Sequence, residues 1–172
     1  SDAPHAQGRS PAAARLATTY TSLAWTSAAH DTLLVAGTRG GDVVVWRAPS
    51  TAHGTWACAA SYRCDAAVMR VACDAHRIAV HTTRALVVLA YAHGALLAER
   101  EAAWHRAVSC LAWHDAALHI ASPGVLATWV PDAPAPHVVR VPCAYAAGVL
   151  PHGIVLDSGR VVSWDGAAAD AP

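Results

Sequence analysis

Leu33–Arg47 reads LLVAGTRGGDVVVWR: two short apolar runs, a polar tetrad between them, and a tryptophan–arginine close. The runs are rich in Val and Leu, bounded by Gly and Asp, and show no 3.6-residue stripe, so they read as strands and not as a helix. The tetrad Thr38–Gly41 is then a tight hairpin turn. Gly40 and Gly41 are expected to supply the positive φ that such a turn requires.

The same arrangement returns along the chain. TSLAW (Thr21–Trp25) reappears as SCLAW (Ser109–Trp113), and more weakly as MRVAC (Met69–Cys73) and VPCAY (Val141–Tyr145). Each is followed by a polar turn, an apolar run, a second turn and a run that ends in an aromatic. The second turns are TRGG (38–41), TTRA (82–85), SPG (122–124) and DSGR (157–160). The closing aromatics Trp46, Tyr91, Trp129 and Trp164 fall 45, 38 and 35 residues apart. Repeats of this period, each holding three or four short strands, are the sequence signature of propeller blades.

On these residues the chain resembles the WD-repeat β-propeller family, best in TSLAW…LLVAGTRGGDVVVWR and over about Thr21 to Trp164. The resemblance implies an all-β fold, an array of about four degenerate WD-type blades near residues 21–62, 68–101, 108–130 and 138–165. TSLAW would be the first strand of its blade, LLVAG the second, DVVVW the third and residues 55–62 the outer one. The valines would pack on both sides between neighbouring blades, with Trp46 in the packing layer. Four short blades, with the chain starting at Ser1 and Met69 its lone methionine, imply part of a larger propeller. Residues 1–15 and 166–172, rich in Ala, Pro, Ser and Gly, read as a flexible arm and tail, and Pro131–His137 as a connector.

The repeats depart from the family pattern. The Gly-His pair ahead of a blade is missing, Gly40 stands where the second turn usually has Asp, and the closing Trp-Asp is Trp46–Arg47 in the first repeat. Within the family, the Leu33–Arg47 blade resembles the amino-terminal propeller of the TFIIIC delta-type subunit, a general factor for RNA polymerase III. That implies a nuclear location, with the cytoplasm as the alternative, and the other protein subunits of a multiprotein complex as partners.

Composition narrows the function classes. Hydrophobic residues make up 55% of the chain and charged ones 14%, with a formal net charge of zero, so no overall basic field draws the chain to nucleic acid. No run is apolar enough for a membrane-spanning helix. Five cysteines, an odd number, read as reduced thiols and not as a disulfide framework. There is no Lys, so every basic side chain is an arginine.

Candidate chemistry is sparse. GTRGGD lacks the Gly-Lys-Ser/Thr of a phosphate loop and leads into a strand. Cys58, Cys64, Cys73 and His76 form no paired zinc motif, and no metal or other cofactor is expected. No G-x-S-x-G elbow is present, and Glu99 and Glu101 are the only glutamates, so the chain reads as no enzyme. His30, His76, His114 and His152 fall one in each first turn, as an exposed rim. The partner-binding candidates are Arg39, Arg84 and Arg160, one in each of three second turns, with Trp129 as an aromatic anchor. The leading expectation is a protein–protein interaction scaffold. A nucleic-acid-binding rim and an enzyme on a propeller scaffold are the alternatives.

Overall fold

In Asp42–Arg47 half-buried and buried side chains alternate along the strand. In β-strands successive side chains point to opposite faces, and where both faces are covered, as in residues 117–122, every position is buried. The computed structural model describes residues 19–28, 31–51, 53–130, 132–141, 146–150, 153–156 and 158–163, and every regular element among them is a strand.

Four antiparallel sheets follow one another in chain order. The first runs β1 (Tyr20–Ala28), β2 (Asp31–Thr38), β3 (Asp42–Arg47) and β4 (Ala57–Arg63); the second runs β5 (Val68–Cys73), β6 (Arg77–Thr82), β7 (Ala85–Ala92) and β8 (Ala95–Ala103). The third is β9 (Cys110–His114), β10 (Ala117–Ser122), β11 (Val125–Trp129) and β12 (His137–Arg140). The fourth is β13 (Ala146–Leu150), β14 (Gly153–Leu156) and β15 (Val161–Ser163). The first strands adjoin in sequence, β1 on β5, β5 on β9 and β9 on β13, so the sheets stand side by side like blades around their inner strands.

Three cores fill the three seams. Leu33, Val35, Val43 and Val45 of the first sheet meet Val71, Ile78, Val80 and Leu89 of the second. Ala79, Leu86 and Val88, on the second sheet's other face, meet Leu118, Ile120 and Trp129 of the third. Ala121, Leu126 and Val141 then meet Ile154, Leu156 and Val162. Each middle strand is therefore apolar on both faces, which is why DVVVW and ALVVLA read as unbroken runs.

Two expectations are corrected. Residues 138–140 belong to the third sheet, because β12 pairs with β11 through Leu126↔Val139 and Val125↔Arg140; the proline-rich connector closes a hairpin instead of separating two blades. In the turn 38–41 the positive φ falls on Gly41, at 97°, and not on Gly40 as well.

Candidate partner-binding surfaces

The turn that opens the second hairpin is built alike in the first two sheets. Thr38 Oγ1 accepts from the Asp42 amide at 2.9 Å, and Thr82 Oγ1 accepts from the Ala85 amide at 2.9 Å. Each hydroxyl satisfies a turn donor that would otherwise be unpaired, and leaves the next residues facing out. Arg39 and Arg84 are exposed in these turns, and Arg160 is exposed in the corresponding β14–β15 turn. The third sheet has Pro123–Gly124 there and contributes no guanidinium.

Arg84 does not stand in a uniformly basic field. It lines a cleft of about 250 Å³ between the first two sheets together with Arg63, Asp65 and Glu101. Arg63 is already ion-paired with Asp42, beside the turn. A phosphate entering this cleft would meet two carboxylates, whereas a peptide with both signs of charge would be matched.

Trp129 is not an exposed anchor. It is 2% exposed in the core between the second and third sheets, and its indole N–H donates to the Ala133 carbonyl at 2.9 Å. The strand's alternation turns it inward, onto a neighbour that covers it.

Of the turn histidines, His30 and His152 lie outside the described residues. His76 is exposed; its amide donates to Asp74 Oδ1 at 2.8 Å. His114, at the end of β9, sits with Nε2 3.1 Å from Asp115 Oδ2. Among the described residues no group of His, Cys, Asp and Glu is placed to hold a metal ion. No described helix is long and apolar enough to cross a membrane.

Three of the described thiols, Cys64, Cys73 and Cys110, are poor nucleophiles. Burial, with Glu101 and Asp65 adding, pushes Cys64 up to about 11, and burial beside Asp74 pushes Cys73 to about 11. Burial also raises Cys110. These groups stay protonated at neutral pH, and the thiolate is the reactive form. Cys58 alone among the described cysteines is exposed.

Three features were not foreseen. Hydroxyls in the repeated motif tie inner strands together: Thr21 Oγ1 donates to the Val68 carbonyl at 2.6 Å, and Ser22 Oγ accepts from the Val71 amide at 3.0 Å. His81 and His119 are buried polar side chains inside strands, not turn residues. Burial is the main cause that pushes both below the ordinary histidine range; the Arg70 charge adds to it at His81, and His114 at His119. Finally, Trp46, expected in the packing layer between blades, instead lies on the first sheet's outer face, where no described sheet covers it. There it makes an edge contact with Tyr20, ring centroids 5.7 Å apart, in an apolar groove shared with Leu23, Trp25, Leu34 and Trp56. The recurrence of SLAW as CLAW was the signal available in the sequence for this face.

No family model and no curated protein matches the chain. Among solved structures it is similar to the crystal structure of the Myceliophteria thermophila Cps50 (Swd1) β-propeller domain, with a TM-score of 0.55 and 12% identity. The likeness covers 84% of this chain and 49% of that one, so the chain spans about half the length of the propeller it matches. At this identity the likeness carries the fold and nothing finer. The chain is an all-β array of propeller blades.

Proposed function

We propose that the chain is a non-catalytic scaffold for protein–protein interaction, whose second-turn rim docks segments of partner subunits that carry both signs of charge, their carboxylates on the arginines. The observation that carries the reading is the placement of Arg39, Arg84 and Arg160 on equivalent, exposed turns of a framework packed through three cores. A guanidinium is always charged and grips a carboxylate through two parallel donors. Strands packed on both faces hold such turns in fixed relation, which is what a recognition surface requires. Asp65 and Glu101 beside Arg84 favour a protein over a nucleic-acid partner. The finer reading, a TFIIIC-type subunit serving RNA polymerase III in the nucleus, is supported by the resemblance of the Leu33–Arg47 blade alone.

The test is affinity capture with the chain as bait, wild type beside the Arg39→Ala, Arg84→Ala, Arg160→Ala triple variant, at low and physiological salt and with nuclease. The expected result is a stoichiometric protein partner retained by wild type and lost by the triple variant, with nuclease making no difference. Transcription subunits among the captured proteins would support the finer reading. Recovery of nuclease-sensitive, salt-labile material only would replace the proposal with a nucleic-acid surface.

A further inference from the structure

The chain that leaves each outer strand is tied down in the same way in three sheets. The amides of Cys64, Trp104 and Val141 donate to the second-turn carbonyls of Gly41, Arg84 and Gly124, at 2.8, 2.9 and 3.1 Å. The three residues therefore hold one position in the repeat, and each belongs to the core of the seam that follows its sheet.

What stands at that position decides how the seam ends at the rim. Between the second and third sheets it is an indole: Trp104 is 7% exposed and packs with Leu86, Val88 and Val108. Between the first and second sheets it is a thiol, and the cleft of about 250 Å³ that Cys64 lines stays open.

The walls of this cleft are particular to its seam. Glu101 lines it from β8, where it pairs with Val87, and Asp65 lines it from the link that follows β4. In the third sheet the place of Glu101 is taken by Val138, which pairs with Ala127, and His105 follows Trp104 where Asp65 follows Cys64. Neither carboxylate recurs in the next seam. Arg63 is held by Asp42, whereas Asp65, Glu101 and Arg84 have no ion pair or side-chain hydrogen bond among the described residues.

The inner end of the cleft is negative. At Tyr62 burial comes first in raising the hydroxyl, and Cys64, Glu101 and Asp65 add to it; at Cys64 burial comes first, Glu101 and Asp65 add, and Arg63 opposes. Two uncompensated carboxylates beside an aromatic wall favour a cation. An ammonium is compact and strongly hydrated. A guanidinium is planar, gives up water more readily, lies against a ring and reaches two carboxylates through its five donors. A planar group also suits a space that the next seam fills with an indole.

We propose that the cleft between the first two sheets receives an arginine side chain of the partner segment, its guanidinium between Glu101 and Asp65 and beside Tyr62, with a neighbouring carboxylate of the segment on Arg84. The inference rests on the rim reading for the segment itself. It adds which of the three arginine turns anchors the segment, and the partner residue that does so.

The test uses the full chain labelled with nitrogen-15, and N-acetyl-arginine amide as the probe, which carries the guanidinium and no carboxylate. Amide signals of residues 62–66, 84–85 and 101 are expected to shift, with a dissociation constant on the order of 1 mM. N-acetyl-citrulline amide, nearly the same shape without the charge, should bind at least about tenfold more weakly, and so should the arginine probe to an Asp65→Asn, Glu101→Gln chain. Both carboxylates are exposed, so this variant should melt as wild type does. Cys64→Trp, which places the indole of the next seam in this one, should close the cleft to the probe.

In affinity capture the Asp65→Asn, Glu101→Gln chain should lose the partner that wild type retains. The Arg39→Ala, Arg84→Ala, Arg160→Ala chain should bind the probe at least as well as wild type, because a repelling charge is gone. Probe binding at the cleft, with a partner indifferent to the three arginines, supports the cleft and overturns the rim. A partner lost with the arginines, but no probe shifts at about 20 mM, supports the rim and overturns the cleft. Equal shifts with the citrulline probe, or shifts confined to other residues, overturn the cleft as well.

Discussion

Thr21 and Val68 join the first two sheets at their inner edge: the Thr21 hydroxyl donates to the Val68 carbonyl at 2.6 Å. One seam further on, Arg70 Nε donates to the carbonyl of Val108, the residue two before β9, at 2.6 Å. Val68 and Val108 hold the same place in their repeats, so two unlike side chains satisfy the same backbone acceptor from the preceding sheet. At the third seam Ser109, the counterpart of Thr21, instead accepts from the Ala146 amide at 3.5 Å. The polar first residue of TSLAW and SCLAW is therefore a seam residue, not a surface ornament.

Thr21→Val keeps the shape and deletes the donor. It should lower stability by about 1 kcal/mol, the usual net worth of one such bond, with more lost if the Val68 carbonyl finds no water. Thr21→Ser should retain most of that. Urea unfolding monitored by tryptophan fluorescence distinguishes them, and equal midpoints for the Val and Ser variants would remove the hydroxyl's role.

Gly41 and Gly40 look interchangeable in the sequence and are not so in space. A Cβ on Gly41 would lie 2.8 Å from the Cys64 carbonyl oxygen and 2.9 Å from that of Ala66, at a φ of 97° that side chains avoid. The chain that leaves β4 crosses directly over this turn, and the Cys64 amide donates to the Gly41 carbonyl at 2.8 Å. Gly41→Ala should cost on the order of 1–3 kcal/mol. Gly40→Ala, free of the positive φ, should cost a fraction of that. Thermal melts of the two variants side by side decide it.

Strand type, hairpin positions and the four-fold repeat were legible because they are local: Val-rich runs, Gly and Pro punctuation, and a recurring aromatic all act over a few residues. What covers a strand is not local. Trp46 and Trp129 close their strands in the same way, yet one is half-exposed and the other 2% exposed, because a sheet stands in front of Trp129 and no described sheet stands in front of Trp46. The third blade's outer strand was misplaced for a related reason. His137–Arg140 is short and polar at both ends, and only its pairing with β11 assigns it. The arginine turns were placed correctly as turns, since Thr38 and Thr82 cap them from within; no residue pattern reveals Asp65 and Glu101 beside Arg84.

Trp129→Ala separates a core role from a binding role. Emptying a fully packed tryptophan site costs about 3–5 kcal/mol, and the Ala133 carbonyl is left with the Arg100 guanidinium as its one side-chain donor. The expected result is a large fall in melting temperature or loss of the fold. A variant that melts like wild type but fails to bind a partner would reinstate Trp129 as an anchor.

Acid sensitivity should come from His81 and His119. Burial, the first cause for both, favours the neutral imidazole and sets their folded values below the ordinary 6.5. At His81 the Arg70 charge pushes the same way and a hydrogen bond at Arg106 pushes back; at His119 the His114 charge lowers the value, while a backbone bond at His114 and the Asp115 charge raise it. The unfolded chain therefore takes up protons first as pH falls. Their contribution to stability is fully present above the unfolded value and declines as pH drops through about 6.5 towards the lower folded values. The melting temperature should be level between pH 8 and 7 and fall below pH 6.5. A His81→Leu, His119→Leu variant, which keeps the buried volume apolar and removes both titrations, should show a shallower fall over the same range. If its melting temperature drops as steeply as that of wild type, the acid sensitivity resides elsewhere, and the two buried imidazoles are neutral packing elements.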